Sequence, residues 1–572
     1  MKRLLALILS LIMVLSGMAL ANASEDALVV GSTTRMSGDF FAGLWSSNTA
    51  DIDVRALLHD AHTVSWLAAG NYDTNKNVIS NVSITKDAQG NQIYKFKIQP
   101  DLKYSDGSAI TAKDYVFSVL LLSAPQIVEL GAANTNYAHL VGWEEYAAEA
   151  AVFSGVRLIS DDTFSLTVKA KNLPYFYHLS LVDVAPYPMA VIAPECDVKD
   201  DGEGAYITGD FTAELLSKTL LNAETGYVSH PSVVSGAYCL TSYDAAQGVA
   251  EFEINPYYMG NYEGQKPSIQ KIVFRCVTND TFIEEIKSGK LDLVNKVSVA
   301  SVIDEAMAEE GINNTTYPRM GLAYIAFACE EGAKTSSLAL RKAVALSLDR
   351  EAICEEFIAP HGRVVNAYYG LGQWMAVDKF QHLKTLKSYE LNLEGAEFQL
   401  KKSGYAGDTL KMAIPENNAI ANGVVAQLEK NFAKIGLNLE VTVLPMNVLL
   451  QHYYRQVERT YDLFFLASNF NYVFDPYLTY HTDDAYQGVW NRSGLKDEQL
   501  MKLANAMRRV DASDKDEYKS KWINFQKYWV EVLPAVPLYS NNYFDFYSDK
   551  LENYSINSYS TWAQAIISAT MK

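Results

Sequence analysis

The chain has 572 residues and a formal charge of −19, with 67 acidic and 48 basic side chains. This acidic balance argues against nucleic acid as a partner, because binding to phosphates needs a basic face. Hydrophobic residues make up 49% of the chain and charged residues 20%, which is typical of globular domains and excludes a disordered chain.

The first 23 residues have the pattern of a secretory signal peptide. Lys2 and Arg3 precede an apolar run, and Ala21-Asn22-Ala23 is a small-x-small cleavage site. The residues before Met18 resemble the start of a lipoprotein box, but Met18 occupies the position of the lipidated cysteine. We therefore expect an exported, unlipidated periplasmic chain that begins at Ser24. No later apolar run reaches the roughly 20 residues that a membrane span needs.

The first predicted strand, residues 28–32, leads into a loop rich in aromatic residues. Phe40, Phe41 and Trp45 lie there beside glycine and serine residues. Aromatic rings in such a loop can offer stacking faces to a ligand, or they can pack on their own domain. Both interpretations stay open at this point.

Residues 94–119 predict a strand, a turn and a capped helix. Aromatic and apolar side chains alternate with polar ones over residues 94–98, which is the period of a strand with one buried face. Asp106-Gly107 is typical of a turn, and Thr111 is a candidate N-cap for the helix that follows. Two hairpins are predicted on either side of this segment, one around Gly90-Asn91 and the other around Asp161-Asp162.

The second half of the chain alternates between predicted helices and strands. An amphipathic segment covers residues 341–353, and later segments predict helix 424–435, strand 437–444, helix 448–454 and strand 461–466. Such alternation indicates an α/β unit with a largely parallel sheet.

The segment YKFKIQPDLKYSDGSAITAKDYVFSV, from Tyr94 to Val119, resembles the signature of the family 5 extracytoplasmic solute-binding proteins. These proteins are the peptide-, nickel- and opine-type receptors of ABC importers. Further matches follow in the family's order, namely GAY at 236–238, NPYY at 255–258 and SGKLD at 288–292. The segment 533–539 is similar to the family's final crossing between lobes.

The resemblance implies an α/β, two-lobed periplasmic-binding-protein fold of type II-like architecture, with an inserted small domain and a ligand cleft between the lobes. Lobe I would combine residues 24–50, 186–294 and 533–572. The small domain would cover residues 51–185, and lobe II residues 295–532. The implied function is capture of a peptide or similar small solute and its delivery to the transmembrane subunits of an ABC permease.

Sequence motifs of enzymes and metal sites are missing from the chain. There is no GxSxG, HExxH, P-loop or CxxC motif, so we expect no catalytic residues, no cofactor and no metal. A secreted hydrolase is the remote alternative. His59 and His62 are spaced i, i+3, but no third ligand is marked nearby, and we predict ordinary histidines on a helix surface. No histidine falls in the assigned cleft segments, so binding should change little between about pH 5 and 8.

The resemblance also implies a set of ligand-binding residues. In peptide-binding members an Asp pairs with the α-ammonium of the ligand, and the register of Asp475-Pro476 puts Tyr472 at that position. Two tryptophan positions of the family correspond to Asn469 and Met446, and no arginine occurs between residues 410 and 451 to bind a carboxylate. Asp475 itself could contact the ligand or cap the turn before Pro476.

Both ionic anchors of a short zwitterionic peptide are thus expected to be missing. Neutral and aromatic groups would replace them, which also suits a glycoside, an opine or a metal chelate as the solute. These residues could instead support the cleft wall. The candidate ligand-binding residues are Phe40, Phe41, Trp45, Tyr137, Met446, Asn469, Phe470, Tyr472, Asp475 and Trp490. We expect a monomer with no stable membrane insertion.

Overall fold

The computed structural model describes residues 27–46, 48–67, 70–132, 136–377, 383–488 and 490–572, so the predicted signal peptide lies outside the described residues. Within them, one large sheet of 12 strands is the main structural element. Its strands are Ala27–Ser32, Tyr238–Asp244, Val249–Ile254, Lys271–Cys276, Leu293–Val297, Ile312–Pro318, Leu322–Phe327, Gly362–Val364, Leu410–Pro415, Leu439–Leu444, Leu463–Ser468 and Ala535–Ser548.

The strand Ala535–Ser548 connects the two halves of this sheet. Its first residues pair antiparallel with Leu322–Phe327, and its last residues pair antiparallel with Leu293–Val297. We call the half that contains Ala27–Ser32 lobe I and the half that contains Leu463–Ser468 lobe II. The predicted crossing near residues 533–539 therefore corresponds to a single 14-residue strand shared by both lobes.

The prediction of a largely parallel sheet in lobe II is only partly right. Leu410–Pro415 runs parallel to both Leu439–Leu444 and Leu463–Ser468. Leu322–Phe327, however, is antiparallel to Leu463–Ser468 and to the shared strand. The alternation of helices and strands indicated the parallel part, because two parallel neighbouring strands are joined by a crossover connection that usually contains a helix.

The small domain is built on a four-stranded antiparallel sheet. Its strands are Ile79–Lys86, Gln92–Ile98, Val156–Ser160 and Thr163–Val168, so both predicted hairpins are confirmed. Gly107 has a φ of +85°, as the predicted turn requires. Thr111 is the N-cap of the helix Ala112–Ser123, and its backbone N–H donates to Asp114 Oδ2 at 2.8 Å. The predicted strand, turn and capped helix are thus confirmed.

Helices pack against the sheets, and the helix Ala112–Ser123 is almost wholly buried. The α-helices are Thr49–Leu58, Ala112–Ser123, Pro125–Glu129, Trp143–Ala147, Met189–Ile192, Ala213–Leu220, Phe282–Lys287, Ala300–Ala308, Leu338–Leu346, Arg350–Phe357, Trp374–Val377, Leu393–Lys402, Ala419–Ile435, Met446–Tyr453, Glu498–Arg508, Lys515–Val532 and Trp562–Ala565. Shorter 3₁₀ turns are Ala170–Asn172, His178–Val182, Lys334–Ser336, Leu383–Thr385, Leu478–Tyr480 and Asp484–Tyr486.

Two-residue and four-residue strands form three further pairs. They are Val64–Leu67 with Asn71–Thr74, Asp197–Asp200 with Ala205–Thr208, and Leu551–Glu552 with Thr570–Met571. The predicted amphipathic segment 341–353 is two helices instead of one. Asp349 starts the second helix, because its side chain accepts from the backbone N–H of Ala352.

Packing groups the chain somewhat differently from the predicted domain boundaries. The helix Thr49–Leu58 packs in the core of lobe I through Val54 and Leu57. Residues 187–227 contribute to the core of the small domain, for example through Tyr187 and Tyr227. These contacts favour boundaries near residues 60 and 230, and the predicted division into domains stays a prediction.

One short segment of the small domain is buried in lobe II. Phe176 is 1% exposed and stacks on Tyr518, with ring centroids 4.0 Å apart. Tyr175 and Tyr177 belong to the same buried cluster of lobe II. The small domain and lobe II therefore share a hydrophobic contact beside the cleft.

The five cysteines form no disulfide with one another. Cys329 and Cys354 are buried, and burial raises the pKa of each thiol to about 11. These two cysteines thus serve as small buried residues, while the other three are only partly buried.

Candidate functional site

The loop that follows the strand Leu463–Ser468 forms part of a cavity in lobe II. This cavity has a volume of about 350 Å³ and is lined by lobe II residues and the start of the shared strand; we call it the lobe II cavity. Four of the predicted site residues line it, namely Asn469, Phe470, Asp475 and Trp490.

Nine aromatic side chains line the lobe II cavity. Tyr368 stacks on Trp529 with ring centroids 5.5 Å apart, and Phe470 meets Tyr368 edge-on at 4.8 Å. Tyr324, Tyr453, Tyr454, Phe474, Tyr480 and Trp490 complete the set. Such walls suit an apolar or aromatic group of a ligand, and their stacked rings hold the cavity in shape.

Asp475 is engaged by three protein groups, from Arg508, Tyr175 and Tyr477. Its Oδ2 lies 3.3 Å from Arg508 Nε and accepts a hydrogen bond from the hydroxyl of Tyr175 at 3.0 Å. Its Oδ1 accepts from the backbone N–H of Tyr477 at 3.1 Å. The side chain is 14% exposed. The carboxylate therefore stabilises the turn and the contact with the small domain, which agrees with the structural alternative, and its role toward a ligand stays a prediction.

Tyr472 lines a second cavity, of about 760 Å³, together with residues of lobe I and the small domain; we call it the interlobe cavity. The ring of Tyr472 stacks on Trp66, with centroids 5.5 Å apart and an interplanar angle of 20°. On its other side it stacks on Tyr559 at 6.1 Å and 19°. Burial, with a smaller effect of the charge of Asp53, raises the pKa of Tyr472 to about 12. Tyr472 is therefore a neutral ring that joins lobe II to lobe I.

Two histidines line the interlobe cavity, which the sequence interpretation missed. His59 follows the helix Thr49–Leu58, and its Nε2 contacts the carbonyl oxygen of Phe40 at 2.8 Å. His62 Nδ1 lies 3.1 Å from Asp183 Oδ1. Neither is a helix-surface residue, so that prediction was wrong. The spacing of the two residues suggested a helix face, but the helix ends before both of them.

Burial of one ring and the charges beside the other set opposite protonation states for these histidines. Burial lowers the pKa of His59 to about 4. Burial also disfavours the charged form of His62, but the charge and hydrogen bond of Asp183, with the charge of Asp60, raise its pKa to about 9. Burial raises the pKa of Asp60, although the hydroxyl of Tyr258 donates to it at 2.6 Å. His59 is thus neutral and His62 charged near neutral pH.

Asn469 contacts lobe I as well as the lobe II cavity. Its Oδ1 accepts from Arg319 Nε at 2.7 Å, and its Nδ2 donates to the hydroxyl of Tyr543 at 3.2 Å. Arg319 also donates to the carbonyl oxygen of Ser468 at 3.3 Å. The amide is therefore held in position at the start of the loop.

The remaining predicted residues lie apart from the interior of these two cavities, except Phe41. Phe41 lines the interlobe cavity and packs on Tyr187 at 4.4 Å. Phe40 is fully buried in the core of lobe I. Trp45 donates from Nε1 to the carbonyl oxygen of Leu130 at 2.9 Å. The hydroxyl of Tyr137 donates to the backbone carbonyl oxygen of Asp183 at 3.4 Å. Met446 is 47% exposed and lies at the start of a helix. Their roles in binding stay predictions.

Neither a metal-binding cluster nor a membrane-spanning helix occurs among the residues that the structure describes. There, no group of three or more His, Cys, Asp or Glu side chains is arranged to hold a metal ion. Among those residues, no helix is both long and apolar enough to cross a membrane.

Comparison with solved structures supports the fold. The chain resembles lactococcal OppA in complex with an endogenous peptide in the closed conformation, with a TM-score of 0.73, 15% identity, and coverage of 94% of this chain and 99% of that one. It also resembles NikZ from Campylobacter jejuni in complex with Ni(L-His), with a TM-score of 0.71, 14% identity, and coverage of 96% and 99%. These likenesses confirm the predicted two-lobed α/β fold.

Sequence similarity to curated proteins covers less of the chain than the structural similarity does. The periplasmic oligopeptide-binding protein OppA of Salmonella typhimurium is 23% identical over 266 residues, which is 46% of this chain and 43% of that protein. OppA of Escherichia coli is 24% identical over 213 residues, or 37% and 33%. The matched segments thus span less than half of these curated relatives. The family model "Bacterial extracellular solute-binding proteins, family 5 Middle" matches residues 64–488, and the chain therefore belongs to this family of extracellular solute-binding proteins.

Proposed function

We propose that this protein is the extracytoplasmic substrate-binding protein of an ABC importer. It captures a small solute between its lobes and presents the closed form to the transmembrane subunits of the permease. Family membership supports this proposal. The two cavities beside the loop 469–476, one in lobe II and one between the lobes, supply the space for a solute.

The observation that carries the proposal is the position of Tyr472. Its ring, on lobe II, stacks on Trp66 of the strand Val64–Leu67 and on Tyr559 of lobe I. Contacts of this kind form or separate as the lobes close or open. A solute that binds both lobes therefore shifts the population toward the closed form, in which these contacts are made.

A peptide is the first candidate for the solute, because OppA proteins of the family are named for oligopeptides. Tyr472 offers no charge to an α-ammonium group, and Asp475 is already paired with Arg508. We therefore propose a peptide that is not held by an ion pair of its amine at these two positions. The aromatic wall and the amide of Asn469 also suit a glycoside, which is the second candidate.

Mass spectrometry of the solute that the protein retains on purification tests this proposal. The protein is produced in the periplasm of a bacterium grown in peptide-rich medium, purified without denaturation, and then unfolded to release what it holds. We expect peptides in the released fraction. A glycoside there would favour the second candidate, and turnover of the released solute by fresh protein would favour the secreted hydrolase.

The cellular state of the protein is part of the same proposal. We infer that residues 1–23 are a cleaved signal peptide and that the mature, unlipidated chain begins at Ser24 as a periplasmic monomer without enzymatic activity. Ala21 and Ala23 are the small residues that precede the proposed cut, and Met18 lacks the thiol that lipidation requires. The intact mass of the exported protein should match the chain from Ser24, and an added diacylglycerol would contradict this.

A further inference from the structure

Two ionic side chains line the lobe II cavity, and the protein uses them differently. Asp475 is neutralised by Arg508 at 3.3 Å and by the hydroxyl of Tyr175 at 3.0 Å. Arg492 has its guanidinium over the ring of Tyr454, 3.8 Å from the centroid. Among the residues described here, its side chain has no ion pair and no hydrogen bond with the protein. The cavity therefore contains one positive charge that no protein anion balances.

Arg341 and Arg350, the buried arginines of the described residues, make several hydrogen bonds to the protein, whereas Arg492 is only partly buried. Arg341 donates to four backbone carbonyl oxygens, and Arg350 donates to three carbonyl oxygens and two side chains. Arg459 pairs with Glu330 at 2.9 Å. The state of Arg492 is thus unlike that of the arginines that serve the fold, which points to a ligand instead.

The geometry at Arg492 fits a carboxylate. Stacking on Tyr454 occupies the face of the guanidinium and leaves the N–H groups in its plane able to donate. Two parallel N–H groups match the two oxygens of a carboxylate, and such charge-assisted pairs are strong where aromatic walls exclude water. Burial raises the pKa values of Tyr324, Tyr368 and Tyr453, and the charge of Arg492 opposes that rise at all three. Its charge therefore acts across the cavity.

We propose that Arg492 binds a carboxylate of the solute in the lobe II cavity. The solute is then an organic acid whose neighbouring apolar or aromatic group packs on the ring wall. If it is a peptide, its carboxyl terminus lies in this cavity. This inference rests on the proposed function. It adds a cationic anchor for the carboxylate of the solute, which the segment 410–451 cannot supply because it contains no arginine.

Competition between acids and amides tests the inference. The protein is mixed with an equimolar set of synthetic peptides of two to nine residues, each present as the free acid and as the C-terminal amide, and the retained peptides are quantified by mass spectrometry. We expect the wild-type protein to retain acids at least tenfold over amides. Arg492→Met should lower retention of acids at least tenfold and abolish the preference, while Arg492→Lys keeps part of it.

Arg455→Met is the matched control. Arg455 contacts Glu330 at 3.8 Å outside the lobe II cavity, so its loss should leave the preference for acids unchanged. Retention of amides by Arg492→Met shows that this variant is folded. Equal retention of acids and amides by the wild type, or an unchanged preference in Arg492→Met, would overturn the inference.

A second probe separates this inference from the proposed function. If no peptide is retained in either form, the peptide proposal fails, and 3-phenylpropionate and 3-phenylpropionamide are then titrated against the tryptophan fluorescence that Trp490 and Trp529 contribute in the cavity. Binding of the acid alone, lost in Arg492→Met, would support the carboxylate site. Equal binding of both compounds, or of neither, would refute it.

Discussion

Tyr472→Ala tests the binding mechanism most directly, because it removes the ring that joins the lobes. The ring stacks on Trp66 at 5.5 Å and on Tyr559 at 6.1 Å. Each aromatic pair contributes about 0.5–1.5 kcal/mol beyond the area it buries, so the loss of both costs about 1–3 kcal/mol. If these contacts form only on closure, the Kd for the solute should rise about 5- to 150-fold.

Calorimetry with the best-retained peptide measures this effect, and Tyr472→Phe is the matched control. The phenylalanine keeps the ring, and the Tyr472 hydroxyl makes no hydrogen bond with the residues that the structure describes, so its Kd should stay within about twofold. Small-angle scattering of the ligand-free proteins should show Tyr472→Ala as the more open of the two. Because a neutral stack has no charge to screen, the difference in affinity between the variants should respond little to salt.

Two results would refute this reasoning. An unchanged Kd in Tyr472→Ala would mean that the stack does not contribute to closure. An equal loss in Tyr472→Ala and Tyr472→Phe would mean that the hydroxyl, and not the ring, carries the effect.

Three further predictions follow from the same structure. Tyr472→Asp restores the anion that peptide-binding relatives are expected to have, so it should favour a free-amine peptide over its N-acetylated form in calorimetry, and no change would contradict the assigned register. Binding by the wild type should vary little between pH 5 and 8, since the pKa of His59 is about 4 and that of His62 about 9. The side chain of His62 is 42% exposed, so solvent screens part of the shift in its pKa. A tenfold change in Kd over this range would contradict the protonation states assigned to the two histidines. Burial raises the pKa of Asp545 from 3.8 to about 6 against the hydrogen bond from Tyr554. The native chain thus binds this proton more tightly than the unfolded chain, so the stabilisation is complete below about pH 4 and is lost as the pH rises through about 6. Denaturant titrations at pH 4 and 7 measure how much the free energy of unfolding changes between these pH values, and Asp545→Asn should reduce that change by about 3 kcal/mol. The same change in the variant as in the wild type would disprove the prediction.

Local patterns predicted most of the secondary structure. The alternation over residues 94–98, the turn at Gly107 and the N-cap Thr111 each depend on neighbours within a few residues, and each is found as predicted. The family resemblance predicted the shared strand and the two-lobed fold. Segment 341–353 shows the limit, because its apolar period continues through a helix break at Asp349.

The candidate site was predicted only in part. The loop 469–475 was located from its sequence, and its residues do line the two cavities. The partners of that loop could not be found in this way. Arg508 neutralises Asp475, and Trp66 and Tyr559 enclose Tyr472. No spacing rule marks such residues, because they come from other lobes and distant parts of the chain.

The sequence by itself determined the family, the fold class and the local elements of this protein, since these follow from periodicity, turn residues, caps and motif order. Only the tertiary structure decided which charges are already paired and which side chains meet across the cleft. Arg492 is an ordinary arginine in the sequence, and it becomes a candidate carboxylate anchor because folding brings it into a cavity of aromatic rings. Pairing and desolvation depend on distances in space, which folding sets between residues far apart in the chain.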